Sequence, residues 1–277
     1  MKLIDLHCHT TASDGIKTPS ELIDFAISRN VGVLAITDHD TVAGLDEALL
    51  HAAGKNFVLI PGIEFSIDYQ GGSFHLVGLH IDHNYSPLIV KTTYLQEVRD
   101  KRALRIVEDL ETHGIDISVE DVMRESEGGA LGRPHVARAL VKNGYANNIT
   151  EVFRKYLVKG KPGYIKKEKI TLNDAVSLIH GAGGISVIAH PVSLNYKSLV
   201  EFEAILRKFR ENGVEGIEVY SSMHKPSDVS DFLKLAKKYN MIVSGGSDFH
   251  GDKDEQIGYY HPSKPIPYEI YENIRRR

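Results

Sequence analysis

Asp5-Leu6-His7-Cys8-His9-Thr10-Thr11-Ala12-Ser13-Asp14-Gly15 follows the apolar run that opens the chain, and Gly245-Gly246-Ser247-Asp248-Phe249-His250-Gly251 follows another near its end. Both stretches carry metal-binding side chains two residues apart. A strand turns alternate residues to opposite faces, so residues i and i+2 share a face about 6.6 Å apart along the strand. Two imidazoles so placed can converge on one cation, each at about 2.0–2.1 Å. Strand ends of this kind in remote parts of the chain predict a barrel-like sheet whose rim holds metal.

Between these stretches, short apolar runs alternate with helical patterns. Strands are expected at 3–6, 33–36, 58–60 leading to Glu64, 74–79, 185–189, 214–219 and 242–245. Helices are expected from Thr18-Pro19-Ser20-Glu21 to about Arg29, and at 45–53, 172–180, 199–212 and 229–239. Repeated β-then-α units with buried parallel strands predict an α/β barrel, its folded part closing at 245–251. The rhythm breaks after Pro87. One long charged helix is expected from about Ile89 to His113, then shorter ones at 118–126, 133–143 and 149–157. Residues 88–166 are therefore expected to form a helical insertion covering the site, with 1–87 and 167–277 forming the barrel.

A length of 277 residues suits one α/β barrel. The net charge of −4 argues against a broadly basic nucleic-acid surface while permitting a local basic pocket. Cys8 is the one cysteine, which excludes an intrachain disulfide and fits a reducing compartment. No apolar run approaches the roughly 20 residues of a membrane span. His and Asp within the first ten residues speak against a signal peptide. A cytoplasmic protein is expected.

The outlier in composition is histidine, at 14 residues. Potential ligands on or just after strand-like runs are His7, His9, Asp14, His39, Glu64, His75, His190, Asp248 and His250. All but His75 lie near the C-terminal end of a predicted strand, where barrel enzymes place their chemistry; His75 sits early on its strand, outside that rule. Singly, each has a plainer reading as a core histidine, a turn residue or a surface carboxylate. Together at successive strand ends they exceed the four ligands of one closed site and suit two or three metals. Imidazole with carboxylate favours manganese, iron or zinc. Multinuclear sites of this type clamp the attacking and leaving oxygens in phosphoester hydrolysis.

Asp5-Leu6-His7-Cys8-His9-Thr10, Thr37-Asp38-His39-Asp40-Thr41, Ala189-His190-Pro191 and Ser247-Asp248-Phe249-His250 resemble the four motifs of the PHP (polymerase and histidinol phosphatase) superfamily of metal-dependent phosphoesterases. Ser13-Asp14-Gly15, Pro61-Gly62-Ile63-Glu64, Phe74-His75-Leu76-Val77-Gly78 and Gly132-Arg133-Pro134-His135 look like the branch of nucleoside 3′,5′-bisphosphate phosphatases and the related 5′-to-3′ exoribonuclease. The resemblance implies a distorted (β/α)7 barrel with three divalent ions, usually Mn2+, with Fe2+ or Zn2+ as alternatives. His7, His9, Glu64 and Asp248 would hold one ion, Asp14, His39 and His250 a second, and Glu64, His75 and His190 a third. It implies hydrolysis of a small nucleotide or short RNA and no obligate protein partner. A histidinol-phosphate-type phosphomonoesterase and a non-catalytic metal-stabilised accessory module are the alternatives.

Asp38, Asp40 and His224 are candidates for proton transfer or for support of the ligands. Arg133 and His135, flanking Pro134 at a helix start, are candidates for holding phosphate. Lys161, in the run Lys159, Lys161, Lys166, Lys167 and Lys169, is a third, and Tyr164 could stack on a base.

Overall fold

The computed structural model describes residues 2–126, 131–252 and 254–275. Seven strands form one sheet in chain order: β1 (Leu3–Asp5), β2 (Val31–Ile36), β3 (Val58–Ile67), β4 (Phe74–Leu79), β5 (Ile185–Ile188), β6 (Gly216–Ser221) and β7 (Ile242–Gly246). Beyond their regular parts the first and last strands meet. Leu6 N donates to Gly245 O, Asp248 N to His7 O and His9 N to Phe249 O, at 3.2, 3.0 and 2.9 Å. These bonds close the sheet into a barrel. Gly246 is required there, because a Cβ on it would fall 2.1 Å from that of His7.

The strands are not all parallel, contrary to the sequence expectation. β4 runs antiparallel to both β3 and β5. Only residues 68–73 separate it from β3, too few for a crossover helix, which needs a dozen or more residues. The reversal accounts for His75. The start of β4 lies at the rim where β3 ends, so His75 pairs with Ser66 rather than sitting at the far end of the barrel.

Helices α1 (Pro19–Ser28), α2 (Leu45–Ala52), α8 (Leu199–Glu211) and α9 (Pro226–Tyr239) carry the chain between parallel strands, and α7 (Leu172–Gly181) leads into β5. α1 begins as the sequence suggests, with Thr18 and Glu21 forming a reciprocal cap. Alternation along the strands makes two apolar layers. Leu34, Ile36, Phe65 and Ile217 join the layer shared with Leu22 and Ile23 of α1 and Phe202 of α8. Ile4, Val33, Ile60, Val77, Val187 and Ile242 fill the barrel's interior.

The interior is completed by a segment that extends past the expected close at Gly251. Two short strands, β8 (Tyr259–His261) and β9 (Lys264–Pro265), lead to α10 (Glu269–Arg275). Ile270, Tyr271 and Ile274 of α10 pack on the interior layer, at the end of the barrel away from the ligands. Between β4 and α7 lie α3 (Ser86–Thr112), α4 (Val119–Ser126), α5 (Arg133–Lys142) and α6 (Ile149–Val152), which runs on into a π-helical turn at Phe153–Leu157. Ile106 and Leu110 of α3, Val122 of α4, and Val136 and Leu140 of α5 share a third apolar cluster with Val152 and Leu157.

Asp5 ties the closing strands to the C-terminal segment. Its buried carboxylate accepts from Ser247 N at 2.9 Å, Ser247 Oγ at 2.6 Å and Gly258 N at 2.7 Å. Asp5→Ala removes the acceptor of three buried N–H groups, those of His7, Ser247 and Gly258, and is expected to cost about 2–4 kcal/mol in urea unfolding of chelated protein. A loss below about 1 kcal/mol would show that the stitch is dispensable.

Candidate metal centre

The structure brings all nine sequence-predicted donors to one rim. Four groups have donor atoms within 4.8 Å of one another: His9 with Asp14, His39 and His250; His7 with Glu64 and His190; His7 with His9 and Asp248; and His39 with Glu64 and His75. The groups overlap because Glu64, fully buried on β3, sits at the middle. Its Oε1 lies 3.3 Å from His7 Nε2, 3.0 Å from His75 Nδ1 and 3.1 Å from His190 Nε2. Its Oε2 lies 3.4 Å from His9 Nε2 and 2.7 Å from His39 Nδ1. Asp248 Oδ1 approaches His7 and His9, at 3.4 and 3.1 Å. Asp14 lies 3.9 Å from His39 Nε2 and 3.5 Å from His250 Nε2.

Several backbone devices aim these groups. Asp40, His190 and Asp248 take left-handed φ values of 57°, 25° and 58°, which non-glycine residues rarely adopt. Such strain costs about 1–3 kcal/mol each and persists only where the surroundings enforce it. Glu255 collects the main-chain N–H groups of His250, Gly251 and Asp252 on one oxygen, holding the loop that carries His250.

The electrostatics divide the imidazoles. Burial, helped by the neighbouring His250, pushes His9 down to about 3, and burial pushes His75 down to about 4. For His250, burial is outweighed by Asp14 and Asp248, which push it up to about 10. His7 is raised as well, burial being overcome by Glu64, Glu218 and Asp248. The carboxylates of Glu64, Asp14 and Asp248 are held well below their ordinary range because facing imidazoles outweigh their burial.

The donor chemistry fits divalent metal. His7 Nε2, His39 Nδ1 and Glu64 Oε2 are buried and have no hydrogen-bond partner. An unpaired buried polar atom costs roughly 1–3 kcal/mol, and three at one point are what cations would satisfy. Three carboxylates among six imidazoles also supply the negative charge that buried cations need.

The other sequence candidates fall elsewhere. Asp38 and Asp40 flank His39 and so turn away from it. Asp38 accepts from Thr10 N and Oγ1, both at 2.7 Å, and from Ser13 Oγ at 2.6 Å. Asp40 accepts from Ser66 N at 2.8 Å and Lys167 Nζ at 2.7 Å. His224 donates Nδ1–H to Val219 O and packs on Phe232, outside the donor groups. Arg133 lines a cleft of about 190 Å³ beside the cluster. His135, two helical positions on, faces the other way, and its Nδ1 accepts from Gly132 N. Lys161 is exposed and does not line that cleft, whereas Lys167 and Lys169 do.

Arg99, Arg102 and Glu218 were not singled out from the sequence. The two arginines follow the three-and-four spacing of the buried face of α3, with Leu95 before them and Ile106 after. A charge on an apolar stripe was the available signal. Glu218 interrupts the otherwise apolar strand β6, the same kind of signal. Arg99 donates to Ser13 O and Leu131 O and reaches within 3.6 Å of Asp14.

A barrel rim carrying polynuclear donor groups defines a metal-dependent hydrolase class, and the comparisons narrow it. Residues 5–222 match the PHP domain model, and the chain belongs to that family. It is a metal-dependent phosphoric ester hydrolase. The 3′,5′-nucleoside bisphosphate phosphatase of Chromobacterium violaceum is 37% identical, aligned over 100% of this chain and 98% of its own. The 5′-3′ exoribonuclease Rnm of Escherichia coli is 38% identical over 90% of this chain and 85% of its own. A solved structure from Bifidobacterium adolescentis, provisionally described as a metal-dependent phosphoesterase, superposes with a TM-score of 0.87 at 28% identity, covering 99% and 95% of the two chains. Another, from Chromobacterium violaceum, is described as an amidohydrolase with sulfate bound; its TM-score is 0.83 at 37% identity over 97% and 96%.

The split among the imidazoles predicts how the chelated protein responds to pH. His9 and His75 titrate far below their unfolded value of 6.5, so the unfolded chain binds more protons there and stability falls as pH drops from 6.5 toward 4. His250 titrates near 10, so its contribution is complete below 6.5 and is lost as pH rises toward 10. Each group contributes up to about 1.4 kcal/mol per pH unit inside its window. Urea unfolding across pH 4.5–9.5 should give a maximum near 6.5; a steady rise to pH 9 contradicts the His250 assignment.

Proposed function

We propose that the chain removes one phosphate from a nucleoside 3′,5′-bisphosphate, such as 3′-phosphoadenosine 5′-phosphate, leaving the nucleoside monophosphate. The observation that carries this reading is a set of guanidiniums crowded beside the donor cluster. Arg102 is driven down to about 10 by burial and by Arg133 and Arg99 nearby. Like charges gathered in a cleft with Lys167 and Lys169 call for a polyanion. A substrate with a second phosphate supplies one, whereas a plain monoester would leave much of this charge unmatched.

The resident cations would follow the family division: His7, His9, Glu64 and Asp248 for one, Asp14, His39 and His250 for a second, Glu64, His75 and His190 for a third, with manganese as the metal. When bound, such ions activate water near neutral pH and neutralise phosphoryl oxygens. The chain's own residues do the rest. Arg133 and Arg102 hold the phosphate that is not cleaved, and Lys167, steadied by Asp40, presents its ammonium to the same cleft. A second lobe of about 220 Å³, lined by Ile16, Pro134, Ile149, Phe153 and Arg138 and reaching His250, takes the nucleoside. Residues 88–166 thus act as a specificity cover over a barrel formed by 1–87 and 167–277. Asp38 and Asp40 act as brackets of the ligand loops. The buried lone Cys8 agrees with a cytoplasmic setting; no helix among the described residues is long and apolar enough to cross a membrane.

A second reading, trimming short RNA from its 5′ end, is favoured by one feature. Lys167 and Lys169 also line a groove of about 290 Å³ with Lys166, a continuation along which a strand could run.

A substrate panel in Mn2+ separates these readings by phosphate or nucleotide release: 3′-phosphoadenosine 5′-phosphate, AMP, histidinol phosphate and a short 5′-phosphorylated RNA. The bisphosphate should exceed AMP and histidinol phosphate by more than about tenfold in kcat/KM, and chelator should abolish all turnover. Preference for histidinol phosphate would sink the nucleotide reading. His9→Ala should reduce kcat by more than about a hundredfold with its fold intact by circular dichroism. Arg133→Ala should act mainly on KM, raising it by about ten- to a hundredfold for a loss of about 1.5–3 kcal/mol. An unchanged KM would remove Arg133 from the phosphate site.

A further inference from the structure

Every strand of the barrel except β6 supplies a donor at its rim end or just beyond it. β6 instead supplies Glu218, whose side chain is 3% exposed. One oxygen, Oε1, lies 3.1 Å from His7 Nδ1. The other, Oε2, accepts from the main-chain N–H of His190 at 2.6 Å. His190 is the residue held at φ 25°, so the carboxylate clamps the backbone where it is most strained. From these contacts we infer that Glu218 is the positioning residue of two adjoining metal subsites, fixing the tautomer of His7 in one and the place of His190 in the other without itself binding an ion.

A neutral imidazole has one N–H and one lone pair, and the partner of the first decides where the second points. Glu218 is an acceptor only, so when His7 sheds its second proton to serve as a ligand, the proton it keeps is on Nδ1. Its Nε2 lone pair then faces Glu64 Oε1 at 3.3 Å and Asp248 Oδ1 at 3.4 Å. Three electron-rich atoms facing each other repel unless a proton or a metal cation lies among them. Carboxylate–imidazole pairs of this kind orient ligands and raise their basicity, and their loss typically weakens metal binding by about 10–100-fold.

The effect is local to one side of the donor cluster. His7, Glu64 and His190 form one of the four groups, and Glu218 touches two of its three members. The group of His9, Asp14, His39 and His250 has separate supports: Arg99 beside Asp14, and Glu255 beneath the His250 loop. Removing Glu218 therefore weakens the two ions that His7 and His190 would hold and spares the one that Asp14, His39 and His250 would hold, whereas a general packing defect would loosen all of them.

This inference rests on the metal-centre reading, and the test separates the two. Glu218→Gln keeps the volume but can accept only one of the two N–H groups. Wild-type and variant protein are stripped with chelator and titrated with Mn2+, bound metal being counted by mass spectrometry after desalting. The variant is expected to bind two equivalents about 10–100-fold less tightly, with the remaining one unchanged. Nitrogen-15 spectra of the Zn2+-loaded proteins should show His7 protonated at Nδ1 in the wild type and altered in the variant. Glu218→Asp, which keeps the carboxylate, should recover part of the lost affinity. Identical titrations and an unmoved His7 signal overturn the role of Glu218. Equal weakening of every equivalent overturns it too, in favour of a structural role. Wild-type protein that takes up no Mn2+ would instead remove the metal centre, and this inference with it.

Discussion

One buried carboxylate organises this molecule. Glu64 has five imidazole nitrogens within 3.4 Å, drawn from His7, His9, His39, His75 and His190. Those residues come from four segments of the chain, so Glu64 can be surrounded only if the sheet curves round to bring them together. An ionised group in so dry a place is costly unless matched by positive charge. Protons supply that charge in the metal-free protein, and cations in a loaded one. Fold and site are therefore coupled through one energetic requirement.

The closure is held at the same end by features that look minor one at a time. Gly246 lets β7 approach His7 with no side chain between them. Asp5 gathers N–H groups from either side of the seam. Thr10 and Ser13 bond Asp38, which anchors the turn that presents Asp14. Polar networks of this sort are favourable only when every member finds a partner. Among the described residues, three of the seven buried side-chain atoms without hydrogen-bond partners sit on the donors His7, His39 and Glu64, and the other four on Gln96, Arg138, Ser221 and His224.

Much of this was legible in the residues. Donors two apart after an apolar run signal a shared face, which is a local property of strands, and all nine such donors meet at the rim. The helices of 86–157 announced themselves through caps and periodicity. What escaped depended on distant contacts. The antiparallel course of β4 reflects a short connection whose strand could pair in either sense. Whether a charged residue on a buried face lies beside the donor cluster, as Arg102 and Glu218 do, depends on what stands opposite it. His135 and Lys161 were suggested by composition near Arg133, but helical geometry separates neighbours that sequence sets side by side. The segment past Gly251 has no motif and announces itself only through the cavity that it fills.

That last segment has a consequence for how the protein is made. Ile270, Tyr271 and Ile274 plug the interior lined by Ile4 and Val33, which are translated some 240 residues sooner. Until residue 274 clears the ribosome's exit tunnel, a nascent barrel keeps a wet, apolar mouth. Contacts of such high sequence separation form slowly. Productive folding is thus postponed to a late moment of synthesis, and the growing chain is a natural client for chaperones that shield apolar surface.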